Sequence, residues 1–169
     1  MPLVKAGRII EDSYVRVVDD GPLLDRVPVI VEGNRFLAEP SVLLQREAPT
    51  GVLWPNNRKV AELSPWLADL SLVALMFPKF RDGRAYSQAR LLRERYGFRG
   101  ELRATGEILR DQFLFLIRAG FDSLDVRKTA DAAAFAEAVG RYSVFYQHSA
   151  NGWAPALRRR LRQNALAPA

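Results

Sequence analysis

The residues best suited to do chemistry are concentrated in one stretch, Phe77-Pro78-Lys79-Phe80-Arg81-Asp82-Gly83-Arg84-Ala85-Tyr86-Ser87. Cations set close together around a carboxylate can grip an anion such as phosphate, sulfate, sulfite or a carboxylate, arginine through its planar fork and lysine as a point charge. The same residues also permit a local reading, in which Asp82 caps a helix starting near Arg84 and pairs with that arginine. A second cluster runs Gly100-Glu101-Leu102-Arg103-Ala104-Thr105-Gly106-Glu107, with Arg110, Asp111 and Gln112 a turn later. On a helix, Glu107 and Asp111 would share one face, the geometry of paired carboxylates, although Arg103 and Arg110 make salt bridges the commoner use. The candidate acids and bases are therefore Asp82, Glu107 and Asp111. The candidate anion- or partner-binding residues are Lys79, Arg81, Arg84, Arg103 and Arg127.

Much chemistry is closed to this chain. It has no cysteine, which removes disulfides, thiolate nucleophiles and cysteine-ligated metal or iron–sulfur centres. Its only histidine, His148, stands on a polar connector, Tyr142-Ser143-Val144-Phe145-Tyr146-Gln147, and reads as a hydrogen-bonded surface residue. Neither a Gly-x-Ser-x-Gly elbow nor a dinucleotide or P-loop glycine spacing occurs. Phe77, Phe80, Tyr86, Tyr96 and Phe98 read as core and rim before they read as a flavin-stacking set. No metal or cofactor is indicated, and whether the chain turns over a substrate stays open at this level.

Elements must hold these groups in place. With 169 residues, 49% hydrophobic and 26% charged, the chain suits one packed domain. From Leu3 to about Leu37, short apolar runs alternate with Ala6-Gly7, Asp19-Asp20-Gly21-Pro22 and Glu32-Gly33-Asn34. These are turn residues, and predict a small antiparallel hairpin or meander over residues 1–40. From Gly51 the pattern becomes strand, turn, helix. Val52–Trp54, Leu72–Phe77, Glu101–Ala104 and Phe121–Val126 read as strands, and helices are predicted near 58–67, 85–96, 107–118 and 131–142. Ala85, Ala89, Leu92 and Tyr96 share a helical face, as do Ala132, Phe135, Ala136 and Val139. Gly97 and Gly120 are plausible helix stops.

Strands alternating with helices build parallel sheets through right-handed crossovers. The prediction is an α/β fold of four consecutive βα units over residues 50–145, closing either as half of a (β/α)8 barrel or as an open flavodoxin-like sheet; the short loops lean toward the barrel-like curl. Residues 146–169 form a C-terminal extension. In either closure a site lies beyond the carboxyl ends of the strands, where the arginine-bearing connectors are expected to converge on one rim.

The net charge of +6 comes largely from Arg158, Arg159, Arg160 and Arg162. A basic tail on a nearly neutral body argues against a nucleic-acid surface and suits contact with an acidic partner. No stretch approaches the roughly 18 uninterrupted apolar residues of a membrane span, so a cytoplasmic, membrane-free protein is expected.

The Asp82-Gly83-Arg84-x-Tyr86-Ser87 and Gly100-Glu101-Leu102-Arg103-Ala104 blocks resemble the bacterial family called domain of unknown function 934. Ala89–Arg93, Tyr96-Gly97-Phe98-Arg99, Asp111-Gln112 and Gly120-Phe121-Asp122 belong to the same pattern. The resemblance is densest over residues 70–127. It implies an association with assimilatory sulfite reduction, since genes of the family stand beside sulfite reductase genes and members are labelled probable oxidoreductases. Many relatives carry a cysteine where this chain has Ala119, so thiol redox at that position is not expected. Two readings follow from the resemblance and the cationic loops together. One is an accessory protein that docks on sulfite reductase or its electron donor; the other is a small enzyme acting on an anionic metabolite.

Overall fold

Ala6 and Gly7 both adopt positive φ, 50° and 78°, and turn β1 (Leu3–Lys5) back onto β2 (Arg8–Ile10) as an antiparallel hairpin with Val4 opposite Ile9. The computed structural model describes residues 2–19, 21–126, 128–140, 146, 149, 150, 155 and 156. Within it β1 also pairs antiparallel with β8 (Ser123–Asp125), so the hairpin extends the main sheet at its far edge. The remaining strands, β3 (Val15–Val17), β4 (Val29–Glu32), β5 (Thr50–Trp54), β6 (Leu72–Phe77) and β7 (Glu101–Gly106), run parallel to one another and to β8. The sheet order is β2-β1-β8-β7-β6-β5-β4-β3.

Because spatial order follows chain order from β3 to β8, every crossover steps the same way and the helices gather on one face. They are α1 (Gly33–Ala38), α2 (Pro40–Leu44), α3 (Arg84–Arg90), α4 (Phe113–Ala119) and α5 (Ala130–Gly140). A π-helical turn, Leu91–Arg95, continues α3, and 3-10 turns occupy Val60–Trp66 and Arg110–Gln112. Strand alternation then sorts the core. Val31, Val52, Trp54, Val73, Leu75, Phe77, Leu102 and Leu124 face the helices and pack with Phe36, Leu43, Leu63, Leu92, Phe113 and Leu116. There is no reversal of strand order, hence no flavodoxin-type switch point.

The sheet curls strongly. Laid flat, its seven strand spacings would put β2 and β3 roughly 34 Å apart. Yet only residues 11–14 join them, and the path from Ile10 to Val15 reaches at most about 18 Å. The result is a half barrel whose concave face divides into an apolar part, Ile30, Leu53, Leu72 and Ala74, and a polar part on β7 and β8. Tyr14 lies on the apolar part and its hydroxyl donates to Ser71 Oγ at 3.0 Å. Arg103 on β7 is only 1% exposed, and donates to Asp12 Oδ2 at 2.7 Å and to Glu101 Oε1 at 3.0 Å. Ser123 and Lys5 complete the shell of Glu101, at 2.7 and 2.9 Å, while Arg16 crosses from β3 to bond Thr105 on β7 and Asp125 on β8.

Several expectations change. β3 and β4 do not continue an antiparallel meander: they pair in parallel and belong to the main sheet. Arg35 and Arg46 clip the connection between them through the carbonyls of Asp19, Gly21, Leu24 and Val27, which lets it cross over without a helix. The helix predicted near 58–67 is a 3-10 turn with Pro65 inside it. Helices over 33–44 lacked an apolar stripe long enough to read. The finding is a mixed α/β half barrel, mostly parallel.

Burial works against the charge on Arg103, but Asp12 and Glu101 more than offset it and its pKa is raised. Burial likewise pushes the Glu101 carboxyl up, and the bonds from Lys5 and Ser123 with the charge of Arg103 bring it below its ordinary 4.5. Replacing Arg103 by Ala removes the buried cation that Asp12 and Glu101 share and is expected to cost about 3–5 kcal/mol in urea unfolding. The stability that Glu101 contributes is complete above its unfolded value of 4.5 and is lost as pH falls through its lower folded value. Below about pH 4.5 the wild type should therefore lose stability more steeply than Glu101→Gln; parallel acid profiles would rule the coupling out.

Candidate functional site

The rim beyond the carboxyl ends of the parallel strands is built from the connectors after β5, β6 and β7. β6 stops at Phe77 because Pro78 cannot donate to a ladder. Gly106, at φ 100°, ends β7 so close to Phe77 that a Cβ would meet its carbonyl oxygen at 2.3 Å, and Glu107 N donates to that same oxygen at 2.7 Å. The two connectors are then tied by Gln112, whose Nε2 donates to Phe80 O at 2.9 Å and whose Oε1 accepts from Leu109 N at 3.0 Å.

This clamp holds an apolar patch open to solvent: Phe80 and Leu109 are both 42% exposed and Phe115 is 59% exposed. Phe115 shares a cleft with Gln112, Asp111 and Tyr86. Lys79 and Arg81 are exposed beside Phe80, with the Arg81 guanidinium 5.3 Å from the Phe80 ring centre. Tyr86 packs edge-on against Phe77, and burial together with the charge of Asp111 pushes its phenol up to about 12.

Arg84 and Asp82 answer each other. Arg84 Nε and Nη2 donate to the carboxylate at 2.9 and 2.6 Å, and the Arg84 backbone N–H adds a longer contact at 3.3 Å. The Arg84 hydrogen bond outweighs burial and, with the Asn56 amide helping, holds the Asp82 carboxyl well below the usual carboxylate range. So strongly paired a carboxylate is a poor proton acceptor near neutral pH.

The predicted residues thus separate. Lys79, Arg81, Asp82 and Arg84 share the β6–α3 connector. Glu107 and Asp111 do not share a helix face, because β7 runs on to Gly106 and the helical turn begins only at Arg110; Arg110 pairs with Asp131. Arg103 is not on the rim at all: it lies in mid-strand and its side chain is taken into the concave interior. Arg127 and His148 lie outside the described residues, as does the basic tail. At the carboxyl ends of β7 and β8, the interior position that usually carries chemistry in β/α barrels holds Thr105 and Asp125, both bonded to Arg16.

Sequence reasoning missed what Asn56, Asn57 and Arg58, in the connector after β5, build with α3. Between that connector and α3 with its π-helical turn runs a cleft of about 450 Å³, reached by Lys59, Arg84, Gln88, Leu91, Arg95 and Tyr96. Gln88 is 6% exposed and donates through Nε2 to Pro55 O and Arg58 O at 3.1 and 2.8 Å. Two carbonyls fix the amide's orientation, and its Oε1 is left buried without a donor. A glutamine inside an apolar helix face, at Ala85, Gln88, Ala89 and Leu92, was the available signal. Among the described residues no cluster of histidine or carboxylate side chains could hold a metal ion, and no helix is long and apolar enough to cross a membrane.

Since Asp82 occupies Arg84, freeing that guanidinium should improve anion binding. The sulfate-dependent rise in Tm is expected to be a few degrees larger for Asp82→Asn than for wild type, and to fall back when Arg84→Ala is added. Equal shifts in all three proteins would place the anion elsewhere.

No curated protein matches the chain. The connectors that build the rim fall inside residues 51–157, the span matched by the model of a family described as bacterial protein of unknown function (DUF934). It is to this family that the chain belongs.

Proposed function

We propose that the protein is a cytoplasmic accessory factor of assimilatory sulfite reduction, in which the rim between β6 and α4 docks on an acidic, partly apolar surface of sulfite reductase or its electron donor. The sulfur pathway rests on the family resemblance; the docking mode rests on one observation, the Gln112 clamp that presents Phe80, Leu109 and Phe115 beside the exposed Lys79 and Arg81. An apolar centre with a cationic margin suits a partner of opposite charge: burial of the phenylalanines supplies affinity and the charges supply orientation and encounter rate. In this reading the strands from β5 to β8 with their connectors and helices are the functional body, the N-terminal hairpin completes the sheet, and the basic tail adds a second contact.

The alternative, a small enzyme acting on an anionic metabolite, asks more of this rim. Asp82 is committed to Arg84, and Glu107 and Asp111 do not converge as an acid–base pair.

Capture of sulfite reductase by the tagged protein at low salt, weakened by about tenfold or more at high salt and by Arg81→Glu or Phe80→Ser, is the expected result. Absence of any complex at low salt would reject docking. Deletion should impair growth on sulfate but not on sulfide, and equal growth on both would remove the sulfur pathway from the proposal.

A further inference from the structure

The cleft between the β5 connector and α3 is distinct from the docking rim in its residues and in its chemistry. Arg58 is spent on Asn34 and Glu62 and stacks over Trp54, and Arg84 is spent on Asp82. Lys59 and Arg95 line the same cleft, are exposed, and have no carboxylate partner among the described residues; the Arg95 guanidinium lies 5.9 Å from the Tyr96 ring centre. Among the described residues no carboxylate lines the cleft. Its walls include Val60, Ala61, Leu91 and Tyr96, and its size falls within the roughly 300–1,000 Å³ of pockets that hold small ligands. Gln88 Oε1, buried and lacking a donor, asks for an N–H or O–H group.

We propose that this cleft binds a nucleoside monophosphate, with the phosphate held by Lys59 and Arg95 and the base lying between the apolar walls so that an amino group meets Gln88 Oε1. Each part of the ligand answers a separate observation. Cations without a carboxylate partner call for an anion, apolar walls call for a flat ring, and the orphan acceptor calls for a donor on that ring. A phosphate alone satisfies only the first of these. The widened π-turn is where Leu91, Arg95 and Tyr96 are contributed to one cleft by a short stretch of chain.

Calorimetric titration of the full-length protein with AMP, CMP, ribose 5-phosphate and inorganic phosphate tests the assignment. AMP or CMP should bind at least tenfold more tightly than ribose 5-phosphate or inorganic phosphate. The surface variants Lys59→Ala and Arg95→Ala should each weaken that binding severalfold, and Leu91→Glu should abolish it, with circular dichroism unchanged. Equal affinity for nucleotide and inorganic phosphate would overturn the proposal, as would nucleotide binding that ignores all three substitutions. The docking residues Phe80 and Arg81 are untouched by these variants, so failure here leaves capture of sulfite reductase to be judged on its own.

Discussion

The guanidinium of Arg103, sealed inside the concave face, is the constraint around which the half barrel is organised. A cation at 1% exposure is tolerable only with its partners in place, and those partners come from two separate regions: Glu101 from its own strand and Asp12 from the strap between β2 and β3. Asp12 can reach Arg103 only if the sheet is curled, and the sheet curls only if the strap of residues 11–14 crosses the opening. Charge satisfaction and sheet curvature are thus one requirement. The stack of Arg103 beneath Tyr14, at 5.6 Å, and the Tyr14–Ser71 hydrogen bond extend the same tie onto β6's approach.

Arginine is put to two unlike uses in this molecule. Arg35, Arg46 and Arg93 are internal fasteners. Arg93 is the fullest case, bonding the carbonyls of Phe98, Gly100 and Gly120 and the Asp122 carboxylate, and so locks the end of α3 to the turns before β7 and β8. The planar, multiply donating guanidinium suits that work in a way an ammonium does not. The cations of the rim and the cleft are among those that this internal demand leaves over: Lys59, Lys79, Arg81 and Arg95 are exposed and have no carboxylate partner among the described residues, as is also true of Arg8 and Arg99. A net positive charge therefore says less about function than the short inventory of cations that structure does not consume.

That distinction explains what could and could not be read from the chain. Strands β5 to β8 and helices α3 and α5 announced themselves through continuous apolar runs, helical spacing and stop residues such as Gly97 and Gly120, because each obeys local rules; α4 begins only at Phe113, later than the spacing suggested. The parallel pairing of β3 with β4 did not, since the turn residues between them are equally at home in a hairpin; two arginines distant in sequence decide the matter. Arg103 was misplaced for a related reason. Alternating Glu101, Arg103 and Thr105 resembles the wet face of a strand, and only the curl makes that face an interior. The β6–α3 connector was legible as a unit, including the Asp82–Arg84 pair, whereas the α3 cleft was not, because Gln88 reads as an ordinary helix residue until its two carbonyl partners are known.

The plugged interior also accounts for where the candidate surfaces lie. In β/α barrels the carboxyl-end mouth is open and its side chains are free to meet a substrate. Here Arg16 occupies the concave side by bonding Thr105 and Asp125, bracing the β3 edge against β7 and β8. The candidate surfaces therefore lie outward, on the connectors and on the convex side. There the helix layer offers a clamp that exposes phenylalanines, and a groove lined by Gln88, whose buried amide oxygen still lacks its donor. The candidate rim thus keeps the strand-end location of a barrel site while its exposed side chains stand outside the filled concave face.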